Sequence, residues 1–190
     1  MAQPWTHSAP GAKAYERINE HYVEPEWVSA RLFDVEKFTG VISDPCCGFG
    51  RIVDAAAAAG YEAYGSDISN RGNGLFKQCD FMQATLERDN LVFNPPFDIA
   101  REFIEHALSV TEYKVAAIFP TARLNAARWL EGHPLRHIWL LTPRPSMPPG
   151  HVITAGGKVG GGKTDYCWLV FDHKYAIGEP MVKWLHRDKS

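Results

Sequence analysis

From Val41 onward, short apolar runs alternate with longer amphipathic ones, and no other feature restricts the possible folds of this chain so strongly. In order, the runs read VISDP, RIVDAAAAAG, YEAYGSDI, LFKQCDF, LVFNPPF, IAREFIEHALSV, KVAAIFP, TARLNAARWLEG and HIWLL. Parallel strands cannot be joined by tight hairpins, so each pair needs a crossover segment lying on a face of the sheet. The alternation therefore predicts an α/β fold around a mostly parallel sheet. A chain of 190 residues, 45% of them hydrophobic, suffices for one packed core and is too short for two ordinary domains. Residues 1–190 are expected to form a single domain.

Local signals place several elements. Ala55 to Ala59 are strong helix formers and Gly60 sits where a helix stop belongs, which predicts a first crossover helix near residues 51–59. After NPPF, the residues Ile99, Phe103, Ile104, Ala107 and Leu108 form an apolar stripe at helical spacing. DYCWLVFD reads as a late strand. It follows a Gly- and Pro-rich stretch, Pro143 to Thr164, long enough to be a flexible substrate loop.

Other classes are disfavoured. No run of eighteen apolar residues occurs and the N-terminal residues lack the order of a signal peptide, so a soluble, cytoplasmic protein is expected, without a membrane partner. Cys46 and Cys47 are adjacent while Cys79 and Cys167 are isolated, a pattern of reduced thiols more than of a disulfide framework. With no CxxC pair and no HExxH, no metal is expected. The net charge of −2 hides an asymmetry: acidic residues outnumber basic ones up to Tyr113, and the reverse holds from Lys114 on. The basic half is either solvated surface or a phosphate-facing one.

Three motifs carry chemistry. Asp44-Pro45-Cys46-Cys47-Gly48-Phe49-Gly50 lies between a predicted strand and a predicted helix, where Gly48 and Gly50 let the backbone turn tightly and approach a ligand. About twenty residues on, Gly65-Ser66-Asp67-Ile68 brings a carboxylate to the end of the next strand, where α/β nucleotide folds hold ribose hydroxyls. Cys79-Asp80-Phe81-Met82 adds a second acid and an apolar side chain that would bracket an adenine ring; a helix N-cap is the competing role for Asp80. Then comes Leu91-Val92-Phe93-Asn94-Pro95-Pro96-Phe97. An aromatic amine is a poor nucleophile because its lone pair is delocalised into the ring, so a catalyst must accept its protons and free that pair. The Asn94 side-chain oxygen and the Pro95 carbonyl are suitable acceptors, held by two prolines that resist helix, and Phe97 is suited to stack on an extruded base.

Taken together, DPCCGFG, SDI, CDF and NPPF resemble, in order and spacing, the class I S-adenosylmethionine-dependent methyltransferases, and NPPF resembles their N6-adenine branch. The resemblance implies a Rossmann-like, mostly parallel seven-stranded sheet with helices on both faces, and S-adenosyl-L-methionine as cofactor. Its methionine end would lie against Asp44, Pro45, Cys46, Gly48 and Gly50, its ribose at Asp67 and Ile68, and its adenine at Asp80 and Phe81. Asn94, Pro95, Pro96 and Phe97 would hold the target amine, with Asn94 also touching the cofactor. Upstream, HYVEPEW resembles a segment in which a Thr-Pro pair helps hold the cofactor carboxylate, which points to Tyr22 and Pro25 and to residues 1–40 as a helical, cofactor-covering segment. Glu24 stands where Thr is common and cannot, as a carboxylate, donate to another carboxylate.

Gly157-Lys158-Val159-Gly160-Gly161-Gly162-Lys163-Thr164 spells a phosphate-loop pattern, but such a loop needs a helix to follow and the strand-like DYCWLVF follows instead. Arg144, Lys158 and Lys163 are expected to contact substrate phosphates. The leading expectation is methyl transfer to N6 of adenine in DNA, with nucleic acid as partner. An RNA adenine or protein glutamine methyltransferase is the alternative within the same chemistry, and a non-catalytic binding protein on the same fold is the alternative outside it.

Overall fold

The computed structural model describes residues 22–69, 76–85, 87–157 and 160–188. Eight strands form one sheet: β1 (Ile42–Asp44), β2 (Ala63–Asp67), β3 (Lys77–Gln78), β4 (Arg88–Phe93), β5 (Thr111–Pro120), β6 (Leu135–Thr142), β7 (Tyr166–Asp172) and β8 (Met181–His186). Their order across the sheet is β3-β2-β1-β4-β5-β7-β6-β8. Strand β7 alone runs against the rest, antiparallel to both β5 and β6. The sheet is thus mixed but mostly parallel, and the expected α/β class holds.

Both faces are covered. Helices α1 (Glu26–Val35) and α2 (Arg51–Ala58) pack Val28, Leu32, Ile52 and Ala56 against Val92, Ala116, Ile118, Trp168 and Val170 on one face. Helix α3 (Ala100–Ser109) packs Phe103, Ile104 and Ala107 against Leu91, Phe93, Val115, Ala117 and Leu169 on the other. Successive residues of β4, β5 and β7 therefore feed opposite cores, as the period-two pleat requires. The predicted stripe of α3 is the buried one, save Ile99, which precedes the helix in a 3₁₀ turn. Gly60, at φ +89°, lies just past the end of α2 in the left-handed region expected of a stop.

Two local differences from the sequence reading have physical causes. TARLNAARWLEG forms two 3₁₀ segments, Thr121–Ala126 and Arg128–Gly132, where a crossover helix was the simpler expectation. Its apolar residues Leu124, Ala127 and Leu130 recur every third position, and the chain bonds Ala127 N to Leu124 O and Leu130 N to Ala127 O, the period of a 3₁₀ turn. Second, the sheet has eight strands where seven were expected. Of β8 only Leu185 is buried, while Met181, Val182 and Trp184 are exposed, so a half-buried strand's alternation is missing. The loop between β6 and β7 holds one short helix, α4 (Gly150–Thr154). No described helix is long and apolar enough to cross a membrane.

A polar knot ties α1 to the sheet. Glu36, just past α1 and almost fully buried, accepts from Trp139 Nε1 (2.9 Å), Lys114 Nζ (3.0 Å) and His137 Nδ1 (2.5 Å). Burial pushes its carboxyl up, but the Trp139 bond and the Lys114 charge outweigh that and hold it below the ordinary 4.5. His137 is held low, chiefly by burial, so it stays neutral and donates through Nδ1. Because the folded value of Glu36 is depressed, its contribution is present above 4.5 and is lost as pH falls through the lower native value. Glu36→Ala, which removes the shared acceptor of Trp139, His137 and Lys114 and leaves Lys114 with Asp172 at 3.8 Å, is expected to lower unfolding free energy by roughly 3 kcal/mol in denaturant titrations at neutral pH. The difference from the unsubstituted chain should shrink in acid.

Candidate active site

The carboxyl ends of β1, β2 and β4 meet where the strand order reverses direction, the crevice in which open α/β sheets bind ligands. Strand β1 delivers Asp44, the glycine loop follows, and α2 starts at Arg51. Gly48 (φ +52°) and Gly50 (φ +86°) are both left-handed. A Cβ on Gly50 would also collide with the ring of Phe76. Strand β2 fastens the loop from the side: Gly48 N donates to Asp67 Oδ2 (2.9 Å) and Cys47 N to Ser66 O (2.9 Å). Asp67 Oδ1 accepts from Ser69 N (2.9 Å), so this acid orders the loop as well as facing the cleft.

A cleft open to solvent runs between these ends, lined by Tyr22, Pro45, Cys46, Asp67, Ile68, Asp80, Phe81, Asn94, Pro95 and Pro96 among others. A smaller space adjoins it, between Glu24, Asp44, Gly48, Phe49, Arg51 and Asn94, and Tyr22, Cys46 and Asn94 border both. Most residues singled out in the sequence are therefore brought together. Gly50 supports the loop without lining either space, and Pro25 is the N-cap of α1.

Asp80 takes the capping role and also lies on the cleft wall. Its carboxylate caps a 3₁₀ turn, accepting from Met82 N (3.1 Å) and Gln83 Nε2 (2.9 Å), and it lines the cleft. Phe81 turns largely into the core, its ring 4.8 Å from those of Phe103 and His106. The exposed apolar walls of the cleft are instead Ile68 and Met82.

Asn94 is held with unusual completeness. Its Nδ2 donates to Tyr22 O (2.7 Å) and to Glu24 Oε2 (3.0 Å), which uses both amide protons. Its Oδ1 is screened from solvent and has no hydrogen-bond partner among the described residues. Cys46 Sγ donates to Asn94 O (3.2 Å), and burial, with Asp44 nearby, pushes that thiol well up, so it is inert. Burial also pushes Glu24 up to about 7 and Asp44 well above the carboxylate range.

Phe97 does not stand alone. Its ring stacks on Tyr22 (6.0 Å, 23°) and on Tyr166 (5.4 Å, 27°), and Arg123 donates to its carbonyl. The loop before β7 docks on the same segment: Val23 N donates to Pro148 O (3.0 Å), and Tyr22 bridges Pro149. Arg144 is exposed and paired bidentately with Asp165 (2.7 and 2.9 Å), and Lys163 is exposed. Lys158 and residues 1–21 lie outside the described residues. What leaves Thr164 is β7, a strand, as the rejection of a phosphate loop requires.

No family model and no curated protein matches the chain. Solved structures do. The methyltransferase subunit of a type I restriction-modification system from Streptococcus thermophilus is 11% identical with a TM-score of 0.57; 80% of this chain is covered, and it spans 45% of that subunit. A proposed RNA methyltransferase of Pyrococcus horikoshii is 19% identical (TM-score 0.55), with 86% of this chain and 85% of that one covered. Magnesium protoporphyrin IX methyltransferase of Synechocystis, solved with S-adenosylmethionine bound, is 17% identical (TM-score 0.51), with 76% and 75% covered. The fold is that of the S-adenosylmethionine-dependent methyltransferases. Relatives on this methyltransferase fold act on such different acceptors that the fold leaves the acceptor open.

The sequence reading missed Met82, Ile99 and Phe103 as cleft walls, Tyr166 as an aromatic partner and the part of Glu24 in holding Asn94. Only Glu24 left a signal, an acid where Thr is common.

The loop geometry yields a paired test. Gly60→Ala, at positive φ in open space, should cost about 1–2 kcal/mol in denaturant unfolding from the left-handed conformation alone. Gly50→Ala adds the Phe76 collision at a similar φ and should cost clearly more.

Proposed function

We propose that this chain transfers a methyl group from S-adenosyl-L-methionine to an exocyclic amine, with N6 of adenine in DNA as the leading acceptor. The observation that carries the reading is Asn94: both amide protons are occupied by Tyr22 O and Glu24, its buried Oδ1 has no partner among the described residues, and the residue lines the cleft. Asn90 on β4 has the same arrangement, its donors on Thr39 O and Val41 O and its Oδ1 unpaired, so the place of Asn94 on the cleft wall is what sets it apart.

The cofactor fits the residues present. A left-handed glycine loop admits close backbone approach, Asp67 lines the cleft as a carboxylate suited to ribose hydroxyls, and Ile68 and Met82 give apolar walls for a flat ring. Bound there, it would supply an electrophilic methyl on a sulfonium that leaves as a neutral thioether. Asn94 Oδ1 and the Pro95 carbonyl accept hydrogen bonds from the two amine protons and free the nitrogen lone pair; the proton lost from the nitrogen after transfer passes to water. The two prolines hold those acceptors still, so positioning and fixed dipoles provide the rate. Tyr22, Phe97 and Tyr166 offer an aromatic wall for an extruded base. Arg144 and Lys163 are the cations for phosphate contact, Arg144 by exchanging its Asp165 partner.

RNA is the second reading, favoured by the similarity over nearly the whole chain to the proposed RNA methyltransferase. Labelled methyl transfer to double-stranded DNA, single-stranded DNA, RNA and protein, followed by nucleoside analysis, separates the readings. N6-methyladenine in DNA is the expected product. Asn94→Ala should abolish transfer with cofactor binding retained, whereas Asp67→Ala should weaken cofactor binding itself. Near-normal transfer by Asn94→Ala would sink the assignment.

A further inference from the structure

Glu24 is a buried carboxyl that the transfer chemistry above leaves without a task. Its backbone carbonyl accepts from Arg51 NH1 (2.7 Å), and its side chain turns inward to Asn94, leaving the residue 6% exposed. The Asn94 amide meets two acceptors there, Tyr22 O and Glu24 Oε2. Rotating that amide by half a turn would press Oδ1 against both, so only one orientation satisfies the site. A carboxylate is also a stronger acceptor than a carboxylic acid, and it polarises the amide it binds, making the far oxygen a better proton acceptor.

We propose that Glu24 is a positioning residue that fixes Asn94 Oδ1 toward the target amine and, by its ionisation, sets how strongly that oxygen accepts. The inference rests on the transfer reading for its consequence, and on the Glu24–Asn94 bond for its substance. The groups facing Glu24 are Asp44 at the end of β1, Cys46 in the glycine loop and Arg51 at the start of α2, with Asp67 acting through Asp44. Burial holds the Glu24 proton up to about 7, against the opposing pull of the Asn94 bond and Arg51, so the bond changes character across the neutral range. Ionisation above that value strengthens the Asn94 acceptor, and transfer rises with pH.

Two measurements test this. In the cofactor-free protein, the Asn94 side-chain amide resonances, assigned by their loss in Asn94→Ala, are expected to shift with pH with a midpoint near 7. Glu24→Gln, a neutral isostere, should abolish the shift. An amide that does not titrate, or one that still titrates in Glu24→Gln, overturns the proposal whatever the chain methylates. In single-turnover transfer, the unsubstituted chain should rise with pH to a plateau. Glu24→Gln should be slower and flat, and Glu24→Ala slower by on the order of 100-fold from lost orientation. Affinity for S-adenosylhomocysteine should stay within about threefold in Glu24→Gln, a change of under 1 kcal/mol. An active unsubstituted chain whose Glu24 variants keep its rate and pH limb overturns the Glu24 role alone; a chain inactive on every acceptor overturns the transfer reading, while the amide titration still decides the bond.

Discussion

Helices on both faces leave the central strands β4 and β5 no solvent-facing side over their C-terminal halves. Leu91, Val92 and Phe93 are all buried, as are Val115 through Phe119, while Asn90 and Lys114, nearer the other end of these strands, are paired. Chemistry is thereby driven to the carboxyl edge. Asp44, Asp67 and Asn94 all follow from that constraint, each the last residue of its strand or the first beyond it.

The same constraint explains what the sequence made legible. Strands buried on both faces are short continuous apolar runs, so β1, β4, β5 and β7 are visible, and the residues at their ends are visible as candidates. Helix α3 was readable because its stripe has one period throughout. Elements whose burial is partial were not. Strand β8 buries one side chain, and the chain after β5 keeps an apolar period of three, which mimics a helix until its hydrogen bonds are seen. Nor does periodicity reveal partners across the fold: Tyr166 lies 69 residues from Phe97, and Glu24 70 from Asn94. Neither pairing leaves a trace in local pattern. They exist because the segment before α1 and the start of β7 converge on the Asn94 loop.

Buried polar side chains of this fold differ in how fully they are paired. The knot at Glu36 fills its carboxylate with three donors and joins α1, β5 and β6. Asn94 is the opposite case, its donors filled and its acceptor unpaired. Asn90 shares that pattern within β4, so it is the place of Asn94 at the cleft, together with the unmade bond, that marks it.

The charge asymmetry along the chain also becomes spatial. Residues up to Tyr113 build β1 to β4 and the three longer helices, while β5 onward builds the other half of the sheet. The acidic half therefore surrounds the cleft, with Glu24, Asp44, Asp67 and Asp80 on its walls. From the basic half, Arg123 reaches the Asn94–Phe97 loop by donating to the Phe97 carbonyl. On the proposed reading this division has a purpose. A cleft lined by Asp67 and Asp80 favours a cationic sulfonium, while a polyanionic acceptor is repelled there and must approach from the basic side. The two substrates would thus enter from different directions and meet near Asn94, which with Tyr22 and Cys46 borders both cavities.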